Sequence, residues 1–307
     1  MDTALYIIGN GFDLHHEIRS NYRDFRAFVE QEDRDLFEHI EAYLPTRNDN
    51  DLENDWANLE MALGEADVDS MIDDCSQFLS SYGADDWSDS GHHDFQYEIE
   101  KIAGDLSGNL RTQFANWIRK ITIPDAASAP NRLSSLDKNG LYLTFNYTST
   151  LASVYSIPAA NILHIHGEGA NKDAELVLGH AWGPGTKKSL NDHPDIEDQD
   201  TRVTEAYGIV DDFFSATFKP STKIILENQA FFAKSGKIKK IFVLGHSLSV
   251  VDLPYLQAIV KATDVSTTHW TVACRNEKEK PKKQAAIEAL GVPEHLIATV
   301  SWDVLYK

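Results

Sequence analysis

Cysteine is nearly missing from this chain of 307 residues, which has only Cys75 and Cys274. Two thiols so far apart exclude a disulfide framework and a cysteine-built zinc cluster. Both are expected to be small buried apolar residues rather than reactive thiols. No apolar run approaches the roughly 18 residues that a membrane-spanning helix needs. Asp2 stands where a secretory leader would carry positive charge, and no cleavage pattern follows it, so a cytoplasmic location is expected. The Walker pattern G-x-x-x-x-G-K-[ST] and the G-x-S-x-G elbow of esterases are absent as well.

Positive charge is the second scarcity. Lys and Arg number 28 against 48 Asp and Glu, a net charge of −20. The imbalance is local: residues 31–118 hold 22 acidic and 4 basic side chains, which leaves −18 in that segment and −2 elsewhere. Non-specific nucleic-acid binding requires clustered cations, and this segment argues against it. A solvated acidic surface is the plain reading of the charge, and a face for a basic partner is the alternative.

Hydrophobic residues make up 42% of the chain and aromatics 10%, enough for a large core in one domain, with or without an insertion. The first apolar run, Ala4 to Ile8, ends abruptly at Gly9-Asn10-Gly11-Phe12-Asp13. This reads as a buried strand entering a tight strand-to-helix turn. The glycines permit close approach of another backbone or of a phosphate. The third glycine of G-x-G-x-x-G is replaced by Leu14, so a nucleotide loop and a plain glycine turn both remain open.

Tyr22, Phe25, Phe28 and Val29 fall at helical spacing after Ser20 or Asn21 as N-cap. Residues 31–118 then carry helical stripes and little that reads as strand, with a Gly/Ser/Asp-rich loop from Ser80 to His93. Strand-like runs resume at 140–145, 161–166, 176–178, 240–244, 270–273 and 297–300, and helical patterns separate most of them. This alternation predicts a Rossmann-like α/β fold with a mostly parallel sheet, in which 1–30 and 119–307 form the α/β domain and 31–118 an acidic helical insertion. A long loop is expected from Ala181 to Arg202.

Parallel sheets place ligands beyond the carboxyl ends of their strands. Five expected strand ends here carry polar or glycine residues: Gly9 to Asp13, Asn146 to Thr148, His164 to Gly167, Gly179-His180, and Gly245 to Ser249. Together they describe a polar crevice along one edge. Asn146 is either a helix N-cap or a ligand group. His164 and His166 face one side of a strand, and Gly167 marks the strand's end beside His166. A metal set of His164, His166 and His180 lacks any supporting spacing, and no metal is expected. Glu60 lies one turn from Trp56, with core packing and function equally open.

Several strings taken together resemble the bacteriophage abortive-infection family AbiH. They are Ile7 to Leu14, Tyr22-Arg23-Asp24-Phe25, Trp56 to Glu60, Thr144 to Thr148, Ile165-His166-Gly167, and Leu244 to Tyr255. That family is in turn similar, at these motifs, to the sirtuin-like domains of anti-phage effectors. Asp24-Phe25-Arg26 resembles the sirtuin Asp-Phe-Arg triplet, Asn146-Tyr147 the Asn strand end, and His166-Gly167 the catalytic His-Gly pair. Asp13 stands where sirtuins carry Ser, Thr148 where an Asp would stand, and the zinc-binding cysteine quartet of the deacylases is missing.

The resemblance implies an anti-phage effector that hydrolyses the nicotinamide–ribose bond of NAD, with NAD as substrate or ligand. In that reading Asn146 holds ribose hydroxyls and water, and His166 is the general base. Gly9, Asn10 and Gly11 accommodate the pyrophosphate, and Phe12 belongs to the same loop. Asp13 contacts ribose, Asp24 and Phe25 meet the nicotinamide, and His246 and Ser247 line the adenosine side. Asp252 supports the site or caps a helix. A nuclease or other nucleotide hydrolase, and a non-catalytic nucleotide-sensing module with the acidic segment as partner surface, are the alternatives. An autoinhibited state, a homo-oligomer or a phage-derived trigger is expected from such a role.

Overall fold

A computed structural model describes residues 4–47, 56–79, 93–134, 136–183, 185–194, 196 and 199–306. In chain order the strands are β1 (Ala4–Ile8), β2 (Leu141–Thr144), β3 (Ile162–His164), β4 (Lys240–Leu244), β5 (His269–Cys274) and β6 (Ile297–Ser301). The helices are α1 (Asn10–His15), α2 (Tyr22–Glu32), α3 (Arg34–Tyr43), α4 (Leu59–Ala62), α5 (Val68–Cys75), α6 (Asp94–Gly104) and α7 (Leu110–Lys120). They continue as α8 (Thr150–Tyr155), α9 (Thr201–Ala216), α10 (Ser221–Glu227), α11 (Gln229–Lys234), α12 (Leu253–Ala262) and α13 (Glu279–Glu288).

The chain divides into two compact units. Met1–Asn21, Ile118–Val177 and Pro220–Lys307 form the first, and Tyr22–Trp117 with Leu178–Lys219 the second. The acidic helical segment therefore starts at α2 rather than at residue 31, and its unit also takes in 178–219. The apolar faces of α2 and α9 explain this: each buries its own residues within the helical unit, Phe25 and Val29 on one and Ala206, Val210, Phe213 and Phe214 on the other.

The first unit contains one six-stranded, all-parallel sheet in the order β3-β2-β1-β4-β5-β6. This is the Rossmann-like, doubly wound arrangement, whose order reverses between β1 and β4. All five side chains of β1 are buried, as a central parallel strand requires. Strand periodicity sends Leu5 and Ile7 into one core with α10 to α13, and Ala4, Tyr6 and Ile8 into the other with α1 and α8. Each fully buried large apolar side chain stabilises by about 1.5–3 kcal/mol. Tyr6 is stacked between Tyr142 at 4.6 Å and Phe242 at 5.1 Å, residues level with it on β2 and β4.

The expected strand at 176–178 does not form. Val177 donates its N–H to His166 O at 2.9 Å and accepts Tyr147 Oη–H at 2.7 Å, so its backbone is satisfied outside any ladder. Leu176 and Leu178 are buried, which accounts for the apolar run without a strand. His180 accordingly ends no strand; it forms an isolated parallel bridge with Phe218.

The second unit is helical, with an aromatic core in which Phe25 meets Trp56, Phe114 and Trp117 at 5.2–5.8 Å. Part of its acidity is spent on capping: Asp33, Asp67 and Asp200 accept backbone N–H groups at the starts of α3, α5 and α9. Carboxylates at those ends also oppose the helix dipole favourably.

Candidate functional site

The β1–α1 turn is packed backbone to backbone against the end of β4. Gly9 N–H donates to Leu244 O at 3.0 Å, and Gly11 N–H to Gly245 O at 2.8 Å. A Cβ on Gly9 would lie 2.5 Å from His246 Cα, and one on Gly11 2.8 Å from Gly245 O. Gly245 itself has φ +72, and a Cβ there would lie 2.1 Å from Phe12 N. Three glycines are thus needed for the clasp between two strand ends. The expectation that the Gly9 and Gly11 N–H groups cradle a pyrophosphate is corrected here, because both are committed to carbonyls of the chain. Asn10 is committed too: its amide donates to Ser20 O at 2.9 Å and accepts Ser20 Oγ–H at 2.6 Å.

Behind this clasp α1 carries Asp13, fully buried. Thr148 and Thr150, just past β2, both donate their hydroxyls to its carboxylate, the latter at 2.8 Å. Burial dominates and pushes the Asp13 carboxyl up to about 6, while the two threonines and the neighbouring Asn146 amide pull it down. Asn146 exerts this pull without closing a hydrogen bond to the carboxylate.

Asn146 is the chemically unusual residue. Its backbone is engaged, with N–H on Thr144 Oγ1 at 3.1 Å and C=O on His164 Nδ1 at 3.1 Å. Its side chain is 94% buried (6% exposed), yet neither Nδ2 nor Oδ1 has a hydrogen-bond partner. An unsatisfied buried amide costs about 1–3 kcal/mol per group. It does not cap α8, whose N-cap is Ser149.

His166 follows β3 and is 3% exposed. Phe145 and Tyr255 stand edge-on to its ring at 5.3 and 5.6 Å, with Tyr147 tilted at 6.0 Å. Its Nε2 is 3.6 Å from Asp252 Oδ1, and His246 Nε2 is 3.5 Å from Asp252 Oδ2. Phe145 also lies edge-on to His246 at 4.2 Å. The carboxyl ends of β1, β2, β3 and β4 thus bring Asp13, Asn146, His166, His246 and Asp252 to the side of the sheet where its order reverses.

Other expected site residues have surroundings of their own. Phe12 is buried among His16, Tyr155 and Trp302 in the core. Ser247 is exposed beyond β4. Asp24 and Phe25 belong to the helical unit, where Phe25 fills the aromatic core and Arg26 pairs with Glu30 and Glu41 at 3.3 Å each. Packing accounts for Phe25 and Arg26 without a ligand. Glu60, in the same unit, accepts Lys219 Nζ at 2.7 Å and Tyr22 Oη–H at 3.1 Å.

His164 hydrogen-bonds Asn146 O and lies 3.9 Å from Glu168; burial lowers its basicity. His180, in the helical unit, holds Phe214 O with Nε2 at 3.0 Å and accepts Trp182 N–H on Nδ1 at 3.1 Å. Among the described residues no three His, Cys, Asp or Glu side chains are grouped to hold a metal ion. Thr150 and Tyr255 were not foreseen as site residues. A hydroxyl two residues past Thr148, and an aromatic three residues past Asp252, are the signals that place them there.

An all-parallel, Rossmann-like sheet with buried polar groups at its switch point defines a doubly wound α/β protein. The chain matches the family model described as "Bacteriophage abortive infection AbiH" over residues 5–274 and belongs to that family. The family's description points to anti-phage abortive infection. No curated protein matches the chain. No helix among the described residues is long and apolar enough to cross a membrane.

Proposed function

We propose that this AbiH protein is an abortive-infection effector that hydrolyses the nicotinamide–ribose bond of NAD at the switch point of its sheet. The observation carrying this reading is the buried, unsatisfied Asn146 amide in the same strand-end cluster as His166. An amide with both a donor and an acceptor open suits a pair of ribose hydroxyls, or one hydroxyl and a water. Its retention despite the cost is what a binding site, rather than a core, requires.

Cleavage of that bond develops oxocarbenium character on the ribose, so the site must stabilise positive charge and deliver water. Asn146 orients the ribose and the water. His166 accepts the water's proton as its oxygen bonds to the anomeric carbon, and nicotinamide departs with the bonding electron pair. Asp13 and Asp252 supply negative charge at the same sheet edge; Asp13, with its carboxyl near 6, is mostly ionised at neutral pH. The pyrophosphate is not assigned to the Gly9 and Gly11 N–H groups, which are already bonded.

The test is incubation of purified protein with NAD, with chromatography of the products and His166→Ala alongside. Nicotinamide and ADP-ribose, formed by the wild type and lost in the variant, support the reading. Intact NAD under conditions where a nucleotide still binds, with binding weakened by Asn146→Ala, would instead identify a nucleotide-sensing module. Intact NAD with cleaved tRNA or DNA would favour the nuclease reading.

A further inference from the structure

Asp252 stands at the N-cap position of α12, but its side chain makes no cap hydrogen bond. It is turned instead toward two imidazoles, one on each carboxylate oxygen: His166 Nε2 at 3.6 Å from Oδ1 and His246 Nε2 at 3.5 Å from Oδ2. Ser249 Oγ is 3.4 Å from Oδ2. Both imidazoles are more than nine-tenths buried, the Asp252 side chain is 12% exposed, and Phe145 packs edge-on to both rings. Tyr147 and Tyr255 are further titratable groups in contact with His166.

The proton of His246 can be placed from the backbone. Leu248 N–H donates to His246 Nδ1 at 2.9 Å, so in the neutral ring Nδ1 is the acceptor and the proton sits on Nε2, facing Asp252. Leu248 has φ +61, a left-handed conformation that is unfavourable for a leucine. That strained residue is the one that delivers the N–H. On the other side, the nitrogen of His166 that faces a carboxylate is again Nε2. Both gaps exceed a charge-assisted hydrogen bond by well under ~1 Å, within reach of side-chain adjustment.

We infer that Asp252 is a positioning residue shared by two histidines, holding His166 and His246 in the Nε2–H form and making His166 Nδ1 its basic nitrogen. Two N–H donors on one carboxylate stabilise its ionised form, so the proton stays on the imidazoles. The catalytic consequence rests on the proposed hydrolysis. There, Nδ1 of His166 takes the proton released by water, Nε2 keeps its own, and the imidazolium formed faces Asp252. The proton arrangement itself does not depend on the substrate.

The test is nitrogen NMR of the full-length protein labelled with ¹⁵N at histidine, with His166 and His246 assigned from the signals lost in His166→Gln and His246→Gln. Both rings are expected as Nε2–H tautomers in the wild type. In Asp252→Asn the His166 ring is expected to titrate at least about one pH unit lower, since a charge partner at this range shifts a pKa by about 1–3 units. The low-pH limb of kcat/KM for NAD should move down with it and kcat should fall at least about tenfold, with partial recovery in Asp252→Glu.

An Nδ1–H tautomer at either histidine in the wild type would overturn the inference, a result that does not require Asp252→Asn to fold. So would a His166 titration unmoved in a folded Asp252→Asn. If the spectra are as expected but the wild type leaves NAD intact, the hydrolase reading falls and the Asp252 arrangement stands. If NAD is hydrolysed while the histidines ignore Asp252, this inference alone falls.

Discussion

Replacing Asp13 by asparagine should make the protein more stable at neutral pH and leave it little changed in acid. Asp13 is fully buried, and desolvation raises its carboxyl from 3.8 to about 6 despite the bonds from Thr148 and Thr150. A carboxyl whose folded pKa is raised prefers to be neutral in the native state. Its favourable contribution is complete below about pH 4 and is lost as pH rises through 6. At about 1.4 kcal/mol per unit, a shift of about two units corresponds to about 3 kcal/mol between those limits.

Asparagine keeps an oxygen to accept one threonine hydroxyl and an amide to donate to the other, without the charge. Urea unfolding of wild type and Asp13→Asn at pH 4.0 and 6.5 measures the difference directly, and subtraction removes the other carboxylates. The variant should gain about 2 kcal/mol relative to wild type across that window, because at pH 4.0 the unfolded carboxyl is already partly ionised and at pH 6.5 the folded one is not yet fully so. A difference that is the same at both pH values, or that moves in the wild type's favour as pH rises, would refute the reasoning.

Further predictions concern the clasp, the open amide and the helical unit. Gly245→Ala should lose about 2 kcal/mol or more in thermal unfolding, because its Cβ would meet Phe12 N at 2.1 Å; Gly185→Ala, also left-handed but with nothing within 4 Å, should lose only about 1–2 kcal/mol. Asn146→Ala should unfold within about 1 kcal/mol of wild type, since the lost packing is offset by relief of the unsatisfied amide, while NAD turnover disappears. A loss of several kcal/mol in the melt would make Asn146 structural. Lys219→Met should cost about 3–5 kcal/mol by removing the buried ammonium that balances the Glu60 charge, and the double variant with Glu60→Gln should recover much of it. Equal stability of the single and double variants in urea would count against that pair.

Strand periodicity and glycine punctuation made the fold largely readable. Ala4 to Ile8 is apolar on both faces because a central parallel strand is covered on both, and its neighbour β2 is buried throughout in the same way, whereas the edge strands β3 and β6 are only partly buried. Leu176 to Leu178 has the composition of a strand but is a buried connection, a distinction set by the tertiary partners of Val177. Asn146 and His166 are readable as candidates because strand ends in parallel sheets collect ligand groups.

The role of the glycines was not readable, since a backbone that approaches a phosphate and one that approaches another strand end demand the same residue. Nor was the joint service of Asp252 to His166 and His246, which depends on α12 bringing a residue from beyond β4 next to one from beyond β3. The aromatic at position 25 could be read as a nicotinamide wall or as core, and the rings of Trp56, Phe114 and Trp117 place it in a core.

The most direct test of the strand-end site is NAD content in phage-infected cells carrying the wild type or Asn146→Ala, measured together with plaque formation. The account predicts that NAD collapses and plaques fall only with the wild type. Protection from phage with NAD undiminished, or protection that survives in Asn146→Ala, would contradict it.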